Sequence, residues 1–127
     1  MTTIKSYTDL EQSKKLAEIL QLDSADYFHA PDAGMVVTEP YMLNEGDETI
    51  ITAYKGAVPC WSLSALLEIL SKIASKTDDD GSADLSSFMG KWYINMFECP
   101  VEAIGNYDNA VDACYEMILK LYELKML

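Results

Sequence analysis

The sequence predicts an α+β domain, a small antiparallel sheet of three to four strands with helices packed on one face. Three observations lead there. Segments with apolar residues at helical spacing alternate with β-branched and aromatic runs of strand length. The 127 residues are the length of one domain able to bury its own core. Half of them are hydrophobic, far from the composition of disordered chains. The order helix, hairpin, helix, strand or strands, helix belongs to the α+β class, and residues 1–127 read as a single domain with no repeat or linker.

The first helix is expected to begin at Thr8-Asp9-Leu10-Glu11, a capping box in which Thr8 and Glu11 satisfy each other's free amides. Leu10, Leu16, Ala17 and Leu20 then form its apolar stripe, and it ends before Asp23. "MVVTEPYML" (Met35 to Leu43) and "TIITAYK" (Thr49 to Lys55), separated by "NEGDE", read as a hairpin with Gly46 in the turn. Pro40 cannot donate to a ladder, which sets the first of these strands at an edge or a bulge.

"VPCWSLSALLEIL" (Val58 to Leu70) opens the second helix, with Ser62 as N-cap and Trp61 and Leu66 placed to form a hydrophobic staple. Leu63, Leu66, Leu67, Leu70 and Ile73 share one side, so this helix is mostly buried. "KTDDDGSAD" (Lys76 to Asp84) has the composition of a solvated loop. In "FMGKWYINMFE", alternation puts Phe88, Trp92, Ile94 and Met96 on one face of a strand and Lys91, Tyr93 and Asn95 on the other. Pro100 ends it, and "VEAIG" is a candidate fourth strand. In the last helix Asn109 is the expected cap, Glu116 and Lys120 form a favourable pair, and broad apolar faces ask for two partners. One is the sheet; the other is the second helix or a second copy of the chain.

Charge narrows the function. Nine Lys, no Arg and 21 acids give a formal net charge of −12. Cutting between Cys60 and Trp61 leaves ten acids and four lysines on one side and eleven and five on the other, so each half carries −6 and there is no acidic tail. A chain without guanidinium groups and with this field is a poor ligand for phosphate backbones and anionic lipid surfaces, which argues against direct nucleic-acid binding and against a membrane anchor. From Leu16 to Tyr54 there is no Lys at all, against eight acids. The three cysteines, Cys60, Cys99 and Cys114, have no framework or Cys-x-x-Cys spacing. Reduced thiols, a cytoplasmic setting and the absence of a signal-peptide pattern in "MTTIKSYTDLEQSKK" are the corresponding expectations.

Chemistry has few candidates. Cys60 stands near a helix N-terminus, where a thiolate gains stabilisation. The chain has a single His, His29, and no Arg, so the base and orienting group of a cysteine nucleophile are missing. The reading is a small buried thiol. His29, with Asp26 and Asp32 nearby in sequence, fills neither a zinc site nor a triad. Asp78-Asp79-Asp80-Gly81-Ser82-Ala83-Asp84 starts like a calcium loop but has Ala83 where Gly is required and Met89 where Glu is required. No catalytic, cofactor-binding or metal-binding residue is assigned, and no cofactor is expected.

"PCWSLSALLEIL" (Pro59 to Leu70), "DNAVDACYEMILKLYELKML" (Asp108 to Leu127) and "YTDLEQSKKLAEIL" (Tyr7 to Leu20) resemble a family of small uncharacterised proteins of gut anaerobic bacteria and their phages or prophages. Where the family pattern has Pro before Val in the last helix, this chain has Ala110. The resemblance implies a bacterial or phage cytoplasm and an accessory role, and it carries over no functional residue. Three functions follow as expectations: a non-enzymatic protein-interaction module, able to self-associate through its last helix; an acidic decoy that mimics nucleic acid toward a host protein; and, third, a cysteine-dependent enzyme at Cys60.

Overall fold

A computed structural model describes residues 5–30, 40–43 and 57–127. Within these, three α-helices and two three-stranded antiparallel sheets make an α+β fold. The chain forms two compact units, Tyr7–Ala65 and Leu66–Leu127 with Met1–Ser6.

In the first unit, α1 spans Leu10–Ala17 and a 3₁₀ turn spans Leu22–Ser24. The cap of α1 lies one residue beyond the predicted one. Asp9 accepts from the Gln12 amide at 2.8 Å, and the Gln12 side chain accepts from the Asp9 amide at 3.1 Å. The reciprocal logic of a capping box is intact, but Asp9 and Gln12 supply it because the Thr8 hydroxyl is drawn inward. Leu16 and Ser13 are the buried residues of this helix, whereas Ala17, expected in the stripe, is exposed.

Strands β1 (Tyr27–His29), β2 (Tyr41–Met42) and β3 (Val58–Cys60) form a sheet in the order β2-β1-β3. Tyr27 pairs with Met42 on one side and Cys60 on the other. The predicted hairpin over Met35–Leu43 and Thr49–Lys55 lies outside the described residues, apart from its segment Pro40–Leu43. The chain before α1 lies alongside the exit of β3: Tyr7 bridges Ser62, and the Thr8 amide donates to the Trp61 carbonyl at 2.9 Å.

Helix α2 spans Leu63–Thr77. Ser62 caps it as predicted, its Oγ accepting from the Ala65 amide at 3.2 Å. Leu66, Leu70, Ile73 and Ala74 are buried, and Glu68 pairs with Lys72 at 3.3 Å across one turn of the exposed side.

In the second unit, β4 (Ser82–Phe88), β5 (Lys91–Phe97) and β6 (Ile104–Tyr107) are ordered β4-β5-β6. The solvated loop is thus shorter than predicted, because Ser82–Asp84 belong to a strand. Its turn is closed by Asp78, whose carbonyl accepts from the Gly81 amide and whose carboxylate accepts from the Asp80 amide, each at 2.8 Å. Gly81 is required there: a Cβ would stand 2.1 Å from the Ala74 carbonyl oxygen.

Phe88 and Lys91 pair across a two-residue turn, Met89-Gly90, both with positive φ (51° and 78°). That is the geometry of a type I′ hairpin. The turn reverses the predicted face of Phe88. Alternation counted through Met89 and Gly90 places it with Trp92, but its cross-strand partner is Lys91, so it lies on the side of Tyr93 and Phe97. The covered side holds the buried Ile94 and Met96, and the helix Ala110–Glu123 packs on β5 and β6. The fourth predicted strand is present as β6, shifted toward the C-terminus. A bulge between the Trp92↔Tyr107 and Ile94↔Ile104 pairs is accommodated by Asn106 at φ 72°.

Helix α3 spans Ala110–Glu123, with Asn109 accepting from the Asp112 amide at 2.8 Å. Its last turn ends in a Schellman motif: Lys125 has φ 59° and its amide reaches the Tyr122 carbonyl, and the Met126 amide reaches that of Leu121. Val111, Ala113, Cys114, Met117, Ile118 and Leu121 are all buried within one chain, so these apolar positions require no second copy to cover them. Lys120 donates to the Glu102 carbonyl at 3.2 Å, not to Glu116.

Candidate functional site

Cys60 ends β3 and is fully buried. Two of its polar contacts come from Thr8. The Cys60 thiol donates to the Thr8 carbonyl at 3.4 Å, and the Thr8 hydroxyl lies 3.6 Å from the sulfur. That hydroxyl also accepts from the Trp61 amide at 3.1 Å and shares a 2.8 Å hydrogen bond with Ser13. Thr8 and Ser13 are thereby satisfied although both are buried.

His29, on β1, reaches the same carbonyl: Nε2 lies 2.9 Å from the Thr8 oxygen. A carbonyl only accepts, so Nε2 carries the proton and is spent as a donor. Imidazole and thiol thus meet at one acceptor, and Nε2 has no lone pair for the thiol proton. Burial pushes the Cys60 thiol up, against the smaller downward pull of the Thr8 and Ser13 hydroxyls. A cysteine nucleophile needs the opposite shift. Cys114 is pushed up to about 12 by burial alone.

The neighbouring segment is pinned with similar care. Trp61 is fully buried, and its Nε1–H donates to Ser24 Oγ at 2.9 Å. Asp26 accepts from the Ser62 amide at 2.9 Å and from the Ser62 hydroxyl. Asp26 thus orients the cap of α2, a role its sequence position did not reveal. Thr8, Ser13, His29 and Cys60 form one hydrogen-bonded set and Asp26 with Ser62 a second, and together they tie β1, β3 and the chain before α1.

The acidic loop is likewise committed to its own backbone through Asp78. Among the described residues no group of three or more His, Cys, Asp or Glu side chains is arranged to hold a metal ion.

A different feature lies on the hairpin. Phe88 is 68% exposed, Phe97 47% and Tyr93 36%, all on the outer face of the β4-β5-β6 sheet, and Met89 at the tip is 87% exposed. Tyr93 lies over Gly105, where a Cβ would approach its ring to 1.9 Å. Asp84, Lys91, Asn95 and serines 82 and 86 share this face. The sequence does not reveal it, because simple alternation places Phe88 on the covered side and composition places Ser82–Asp84 in a loop. No helix among the described residues is long and apolar enough to cross a membrane. Compared with protein-family models, curated proteins and solved structures, the chain matches none.

Proposed function

We propose that this protein is a non-enzymatic interaction module of bacterial or phage origin, acting in the cytoplasm by binding another protein through the outer face of the β4-β5-β6 sheet. The observation that supports this reading is the exposure of Phe88, Tyr93 and Phe97 on one face, beside Met89 at the tip. Scattered exposed apolar residues are ordinary, but several large ones on one face characterise binding surfaces. Aromatic residues supply contact area at low cost in side-chain entropy. The sealed thiol of Cys60 favours binding over catalysis as the function.

The test is site-specific photocrosslinking in a bacterial host, with a benzophenone amino acid at position 88 or 97 and a control at Glu68 on the exposed side of α2. A discrete adduct from positions 88 and 97 alone is expected. Equal labelling from all three positions, or none from any, overturns the reading. Capture that weakens steeply with salt would identify a basic partner and move the reading toward the acidic decoy.

A further inference from the structure

We propose that two copies of this chain pair edge to edge through β4, antiparallel, with the two-fold axis at Leu85. A two-residue hairpin turn makes Phe88 and Lys91 a hydrogen-bonded closing pair. The backbone groups of residues 82, 84, 86 and 88 then face β5, and those of Ala83, Leu85 and Ser87 face the open edge. Among the described residues β4 has β5 as its one neighbour. Edge strands are ordinarily guarded by Lys, Pro, a bulge or shortness. β4 has none of these and a single charge, Asp84: it is seven residues long, reads SADLSSF, and pairs with β5 without a register shift.

Pairing about Leu85 overlaps all seven residues and lets Ala83, Leu85 and Ser87 bond to Ser87, Leu85 and Ala83 of the second copy. It is also complementary in size and charge. Phe88 of one copy falls beside Ser82 of the other, whose neighbour on β5 is Phe97, so large side chains flank a small one. On the opposite face Leu85, half-buried in the single chain, meets its own equivalent. Asp84 stands across from Ser86, not from another acid. The acidic turn Asp78–Asp80 of one copy meets the hairpin tip of the other, residues 86–92, which hold no acid and whose Lys91 is paired with Asp108 of its own chain.

Light scattering on size-fractionated protein, from micromolar to millimolar concentration, tests the pairing. A monomer–dimer equilibrium is expected, tightened by added salt because both copies are strongly negative. Ser86→Lys, placing a cation opposite Asp84 twice per dimer, is expected to tighten it about five-fold, and Ser86→Asp to loosen it about five-fold. Leu85→Cys is expected to form a copy-to-copy disulfide on mild oxidation, since facing residues in such a pair have Cα atoms about 5.5 Å apart. A monomer at every concentration, or a dimer indifferent to both Ser86 substitutions and to the cysteine probe, overturns the proposal. The mass of the photocrosslinked adduct from position 97 keeps the two readings distinguishable, because a second copy adds the mass of this chain and another protein does not.

Discussion

The Thr8 carbonyl and the Cys60 sulfur lie 3.4 Å apart, with the Thr8 hydroxyl 3.6 Å from that sulfur. One buried threonine thus serves Cys60, the Trp61 amide, Ser13 and His29, which explains why it is not the cap of α1. Thr8→Val keeps the shape but removes the hydroxyl, leaving the buried Trp61 amide without its acceptor. The expected loss is about 2 kcal/mol, and Thr8→Ser should lose under about 1 kcal/mol. Urea denaturation followed by tryptophan fluorescence measures both; equal losses for the two variants would refute the role of the hydroxyl.

Thiol reactivity should follow burial. Cys60 and Cys114 are buried and their thiols are raised, whereas Cys99 is partly accessible. Iodoacetamide on the native protein at a mildly alkaline pH should label Cys99 alone, and all three only after denaturation. Rapid native labelling of Cys60, located by peptide mass mapping, would reopen the enzyme reading.

Glu116 lies on α3 with Asp112 one turn before it and Glu123 two turns after. Burial first, then these two carboxylates, raise its pKa. A raised folded-state pKa means that the folded protein holds this proton more tightly than the unfolded chain. Its contribution is present in full below the unfolded pKa and is lost as pH rises through the folded pKa. Glu116→Gln should therefore raise Tm at neutral pH and leave it unchanged in acid below the carboxylate range. A variant that gains equally at both pH values would exclude this electrostatic origin.

Gly105 and Tyr93 should be strongly coupled. Gly105→Ala drives a methyl into the Tyr93 ring, and overpacking of this kind costs about 1–3 kcal/mol. In a Tyr93→Ala background the same change should cost close to nothing. A double-mutant cycle on unfolding free energies measures the difference, and additive losses would show that the ring and the glycine do not constrain each other.

Much of the local structure was legible from residue types. Ser62 and Asn109 cap the helices they were expected to cap, because a short polar side chain before an apolar helical run has few other uses. Alternation from Trp92 to Met96 placed Ile94 and Met96 inside. The capping box of α1 was legible as chemistry but not in register: both Thr8 and Asp9 can cap, and the packing of Thr8 beside Cys60 chose between them. The Met89-Gly90 turn was not legible, since it lacks the Asn-Gly or Asp-Gly signal and asks a methionine to take positive φ.

Composition and periodicity determined the α+β class and the helices over Leu10–Ala17, Leu63–Thr77 and Ala110–Glu123, because these rest on which side chains avoid water along a regular repeat, while the interior position of Cys60 followed from a thiol without a base to activate it. Tertiary structure alone decided the rest. It set which acceptor His29 and Cys60 share, which side of the sheet Phe88 faces, and which strands stand at the ends of that sheet among the described residues. Those outcomes depend on backbone pairing, across a tight turn for Phe88 and between segments distant in sequence for His29 and Cys60, and a single residue of register moves a side chain to the other face.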